Sequence, residues 1–77
     1  MKPEYENLNV VKNEDEKRFQ LTVDGYTAFI DYKEKSNDIY LIHTESPEEL
    51  AGKGVATALI EKTLDFIKSS QQQLVPL

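Results

Sequence analysis

The sequence predicts an α+β domain, a mainly antiparallel sheet in the order β-β-β-β-α-β with one long helix packed on it. Three observations carry that prediction. Apolar and polar residues alternate through 18–23 and again through 26–33, with Asp24-Gly25 between the two runs. Residues 39–42, Ile-Tyr-Leu-Ile, are apolar or aromatic at every position. From Val55 the period of the apolar residues lengthens from that of a strand to that of a helix.

The elements follow in order. Residues 1–7 show no period and read as a loose lead-in, and residues 9–12 read as a short edge strand. The charged run 13–17 is a solvated turn. In the next strand Phe19, Leu21 and Val23 share one face, opposite Arg18, Gln20 and Thr22. Asp24-Gly25 between two such runs is a hairpin signal, because a type I′ turn needs positive φ at both central residues. Tyr26, Ala28, Ile30 and Tyr32 then lie on one side of the following strand. After a polar turn at 33–38, residues 39–44 form another strand, with Ile39, Leu41 and His43 on one face and Tyr40 and Ile42 on the other. A strand apolar on both faces is expected to be the most buried of the meander.

In the helix, Val55, Leu59, Thr63 and Phe66 run beside Ala56, Ile60, Leu64 and Ile67 as a broad apolar stripe, and Thr57, Glu61, Asp65 and Lys68 face water. Lys68 suits the negative end of the helix dipole. Residues 73–77 begin a last strand, which would run parallel to 39–44 if it lies beside it across the helix, with a right-handed crossover.

At 77 residues the chain is a single domain, 1–77, and a domain this small buries only about 60% of its unfolded-chain surface. Cysteine is absent and His43 is the only histidine, so disulfides and thiolate metal sites are excluded and no metal is expected. What remains to stabilise it is a ligand, a second subunit or very good packing. A net charge of −5 speaks against a nucleic-acid partner, where a basic stripe is needed. No apolar run approaches the roughly 20 residues that cross a bilayer, and no signal segment is present, so a cytoplasmic protein with no membrane partner is expected.

One stretch carries chemistry: Thr44 to Ala58, between the last long strand and the helix. A glycine bend that hands a strand to a helix collects unpaired N–H groups at a helix N-terminus, where the dipole favours an anion. Gly52 and Gly54 permit positive φ and close approach of a ligand to the backbone. The alternative is one unbroken helix capped by Ser46, with Pro47 at its first position and Glu49 closing a capping box. It would carry both glycines in its interior at about 1 kcal/mol each; a short turn, a bend and then the main helix fits better. The P-loop and the dinucleotide fingerprint fit worse, since Gly52-Lys53-Gly54 lacks the upstream glycine and following hydroxyl of one, and Thr57 stands where the other needs Gly or Ala.

Here the chain resembles the GNAT acetyltransferase superfamily, which carries Gln/Arg-x-x-Gly-x-Gly/Ala between its fourth strand and the next helix. Residues 49–54, Glu-Leu-Ala-Gly-Lys-Gly, match except at Glu49. It is more closely similar to the minimal single-domain GNAT-like group: Asp24-Gly25, Tyr32, His43-Thr44, Pro47 and Gly52-Lys53-Gly54-Val55-Ala56 follow in that group's order. The resemblance implies binding of acetyl-coenzyme A (or coenzyme A) as a small-molecule acyl donor and N-acetyl transfer to an amine acceptor that the sequence does not identify. The diphosphate would sit on N–H groups of Leu50, Ala51, Gly52, Lys53, Gly54, Val55 and Ala56, and the pantetheine arm would pair with strand-edge atoms near Thr44 and Ser46. Lys53 is either a phosphate partner or a plain surface lysine. His43 is either a general base or a hydrogen-bonded structural histidine. Tyr26, Tyr32 and Tyr40 either donate a proton to a thiolate or simply pack.

The group continues its last strand as Pro-x-Cys, its proposed catalytic or acyl-accepting residue, whereas this sequence reads Pro76-Leu77. The fold is therefore expected to be C-terminally truncated, and the 77-residue chain to transfer acetyl groups poorly or not at all. The rival reading is a non-catalytic interaction module without a cofactor, whose last strand pairs with a second copy to give a homodimer.

Overall fold

The computed structural model of the chain describes residues 3–75. Five strands form one sheet in the spatial order of the sequence: β1 (Val11–Asn13), β2 (Arg18–Val23), β3 (Tyr26–Lys35), β4 (Asp38–Glu45) and β5 (Gln73–Val75). The first three pairings are antiparallel and β5 runs parallel to β4. Among the described residues one α-helix, α1 (Val55–Ser69), lies between β4 and β5, so the α+β architecture is the expected one. Pro76 and Leu77, the end of the expected last strand, lie outside the described residues, as do Met1 and Lys2 of the expected lead-in. Among the described residues no helix is long and apolar enough to cross a membrane.

The β2–β3 hairpin turns at Asp24 (φ 53) and Gly25 (φ 83), both left-handed as a type I′ turn requires. The next hairpin is tighter than the polar run suggests. Strands β3 and β4 pair out to Lys35↔Asp38, leaving only Ser36 (φ 57) and Asn37 to turn the chain.

Helix α1 packs on β2 and β3, and the core lies between them. Phe19, Leu21 and Val23 point up from β2, and Ala28, Ile30 and Tyr32 from β3, to meet Val55, Ala58, Leu59, Thr63 and Ile67 of the helix. The strand expected to be most buried is not: in β4 only Ile39 is fully buried, and Ile42 is 48% exposed. The helix sits over the middle of the sheet, and no second layer covers the other face among the described residues. For the same reason the helical stripe is narrower than its apolar residues suggest. Ile60, Leu64 and Phe66 lie on its flanks, partly in solvent. On the open face the Arg18 guanidinium stacks on Phe29 at 3.9 Å and pairs with Asp31 at 3.3 Å.

His43, too, lies on a different face from the one its strand alternation suggests. The β3–β4 register steps from Tyr32↔Leu41 to Asp31↔His43, so Ile42 is an extra residue in β4, a β-bulge. Because strand side chains alternate, one extra residue reverses every face beyond it. Thr44 therefore pairs with Ile30 on the helix side, and His43 pairs with Asp31 on the open side, not in line with Ile39 and Leu41.

The lead-in is also not loose where it is described. Pro3–Tyr5 forms a 3₁₀ turn, and Tyr5 is only 4% exposed, inserted into the core beside Val23, Leu50 and Val55.

Candidate functional site

Strand β4 ends where Ser46-Pro47 removes a backbone donor from the ladder. A 3₁₀ turn, Glu48–Leu50, follows, with the Leu50 amide bonding to the Pro47 carbonyl at 3.0 Å and the Ala51 amide to Glu48 at 2.9 Å. Leu50, 2% exposed, anchors this turn in the core. The capping box that a single helix would have used is absent, since no side chain caps the short turn. The chain then bends through Gly52 (φ 75) and Gly54 (φ 75) before α1 begins at Val55.

The bend leaves donors free. The Lys53 amide reaches the Leu50 carbonyl at 3.2 Å, and the Ala58 amide reaches Gly54 at 3.1 Å. Among the described residues the amides of Gly52, Gly54, Val55, Ala56 and Thr57 have no acceptor, and Gly54, as N-cap, has no side chain to offer one. A cluster of unpaired N–H groups at the positive end of a 15-residue helix has the chemistry of an anion cradle. Nothing lies within 4 Å of where a Cβ on Gly52 would stand, so the bend faces open space at that residue.

In front of the bend is a cleft of about 230 Å³. Ser46, Leu50, Ala51, Gly52, Gly54, Val55 and Ala56, all expected at the site, line it. Pro47, Glu48 and Thr57 line it too and were not anticipated. Thr57 was legible in principle, being the third residue of the helix, but it reads first as a solvent-facing position. Glu48 brings a negative charge to the rim.

Three expected residues stand elsewhere. Lys53 turns away from the cleft: its Nζ lies 3.3 Å from Asp24 Oδ2, and its side chain borders a separate hollow of about 450 Å³ with Tyr5, Val23 and Asp24. Thr44 does not line the cleft but lies on the last stretch of β4. There the described β4–β5 pairing has already ended at Tyr40↔Val75, so the edge of β4 from Leu41 to Glu45 has no strand beside it on that side among the described residues. His43 does not line the cleft either; its Nε2 stands 3.9 Å from Glu45 Oε2, both side chains well exposed.

Of the tyrosines considered as proton donors, Tyr32 is enclosed in the core against Phe19, with ring centroids 4.9 Å apart. Burial pushes its phenol pKa up, helped by the carboxylates of Glu34 and Glu14.

A family model described as GCN5-related N-acetyl-transferase matches residues 18–77, from the start of β2 onward. No curated protein matches the chain.

Proposed function

The chain belongs to the GCN5-related N-acetyltransferase family, and from that premise we propose that the glycine bend binds the diphosphate of acetyl-coenzyme A for acetyl transfer to an amine. The observation that carries the proposal is the set of amides at Gly52, Gly54, Val55 and Ala56 that lack acceptors among the described residues and border an open cleft. These residues fit the group: a diphosphate needs several convergent donors, and the local dipole offsets the acidic net charge and Glu48 over distances shorter than a Debye length. When bound, the donor supplies a thioester whose carbonyl carbon an amine can attack.

The chain's own part is orientation. The amides around Gly54 fix one end of the ligand, and the edge of β4 near Thr44 and Ser46, unpaired on that side among the described residues, offers backbone donors and acceptors to an extended arm, as a neighbouring strand would. Holding the reacting groups in place, and aiming backbone dipoles at charge that develops during attack, are the usual sources of rate in such a site. Lys53 serves the bend by its backbone rather than by its ammonium group.

The test is thermal unfolding with and without coenzyme A. At 100 times Kd, binding adds about 2.7 kcal/mol, which in a domain of this size raises Tm by on the order of 10 °C. Absence of any shift at millimolar ligand would favour the interaction module instead. In Gly54→Val, a β-branched residue is forced toward φ 75, a region such residues avoid. The shift is expected to vanish while circular dichroism still reports the sheet. A shift that survives this substitution places the ligand somewhere else.

A further inference from the structure

We infer that Tyr5 is a positioning residue that holds the Gly54 amide toward the cleft. The inference rests on the proposed use of the glycine bend. It starts from one hydrogen bond: the Tyr5 hydroxyl donates to the Lys53 carbonyl at 2.9 Å, across 48 residues of sequence.

The Lys53 carbonyl and the Gly54 N–H belong to the same peptide unit. In a trans peptide these two groups point in nearly opposite directions. Fixing the carbonyl toward Tyr5 therefore aims the Gly54 N–H the other way. The hollows agree with this: Tyr5 and Lys53 line the larger one, whereas Gly54 lines the cleft before the helix and Lys53 does not.

Gly54 cannot make that choice itself. Without a Cβ it takes φ near +75° about as readily as a negative value, and flipping the 53–54 peptide plane interchanges the two. In the flipped form a carbonyl oxygen would face the cleft and repel an anion. Something outside the bend must select the donor-out form, and the hydroxyl of a tyrosine held rigid by its burial in the core is placed to do so. The Lys53 ammonium group, paired with Asp24 on the same side, is a second and weaker tie, exposed to solvent.

Tyr5→Phe tests this, since it keeps the ring and removes only the hydroxyl. Two quantities are read: the Kd for coenzyme A by calorimetry, and the Gly54 amide resonance of the free protein by ¹⁵N NMR. Y5F is expected to bind coenzyme A on the order of 3- to 10-fold more weakly, the loss of one neutral hydrogen bond, and to move the Gly54 resonance. Val23→Ala is the control, because it loosens the same core without touching a hydrogen bond. It is expected to lower Tm while leaving Kd and the resonance in place. Wild-type protein that binds no coenzyme A overturns the cofactor reading and this inference with it. Wild-type binding that Y5F keeps at full strength, with the Gly54 resonance unmoved, overturns this inference alone. So does a V23A effect on Kd and resonance as large as that of Y5F.

Discussion

Thr63 sits on the face of α1 that meets the sheet, fully buried, and its Oγ1 has no hydrogen-bond partner among the described residues. A buried hydroxyl left unpaired costs about 1–3 kcal/mol of desolvation. Valine has nearly the same shape and the same branching at Cβ, so it keeps the packing and the rotamer while discarding the polar atom. Thr63→Val is therefore expected to stabilise the domain by about 1 kcal/mol, a rise in Tm of about 4–8 °C at this chain length. With coenzyme A in the proposed site, its affinity should not change, because Thr63 does not border the cleft. An unchanged or lowered Tm in a melting experiment would mean that the hydroxyl has a partner in solution.

At the scale of elements, one carboxylate ties three of them. Glu34 Oε2, on β3, accepts from the side-chain Nε2 of Gln72 at 2.6 Å, in the link from α1 to β5, and from Lys12 Nζ at 3.3 Å, on β1. The Gln72 hydrogen bond holds the Glu34 carboxyl below its ordinary pKa; Lys12 and Lys17 pull the same way, and burial only partly opposes them. A carboxyl whose pKa is lower folded than unfolded stabilises the fold above the unfolded value, about 4.3 for glutamate. That contribution disappears as the pH falls through the folded value. Glu34→Gln should therefore flatten the fall of unfolding free energy with acid below about pH 5. Urea titrations at several pH values measure this, and parallel curves for the two proteins would remove Glu34 from the account.

Much of this element structure is legible in the sequence because it is local. Asp24-Gly25 between two alternating runs signals its turn, the change of period at Val55 marks the helix, and Gly52 and Gly54 announce a bend because an unbroken helix would carry both at a cost. What escapes is non-local. The bulge at Ile42 uses an ordinary strand residue and exists only as a mismatch of register with β3, so the side that His43 faces cannot be read from alternation along β4. Tyr5 looks like one aromatic residue in an unpatterned run, and its carbonyl partner is 48 positions away. The burial of β4 is non-local in the same way. An apolar run tells that a strand can be covered on both faces, whereas the placement of the one helix decides whether it is.

For the whole molecule, the arrangement of the core decides how a ligand at the proposed site would affect the other end. One cluster, with Leu21, Ile30, Leu50, Val55 and Leu59, closes under the glycine bend; a second, Phe19, Tyr32, Ile39 and Ile67, lies toward the end of the helix. Val10 and Leu41 pack against both, and α1 runs through both. Ile67 is 12 positions beyond Val55, roughly 18 Å along a helix, too far to disturb the bend directly. Ile67→Ala should cost about 2–5 kcal/mol, a large share of the roughly 4–12 kcal/mol expected for a domain of this length. If the domain unfolds as one unit, ligand that binds only the folded form adds the same free energy to the variant as to the wild type, about 2.7 kcal/mol at 100 times Kd. Coenzyme A bound at the proposed site should then restore much of the lost Tm in a single transition. Hydrogen exchange at Phe19 and Tyr32 gives the discriminating readout. Protection there should rise with ligand although neither residue borders the cleft. Were those amides to exchange at a rate indifferent to coenzyme A while the amides around Val55 became protected, the two clusters would be separate cooperative units, and the helix would not transmit the stabilisation between them.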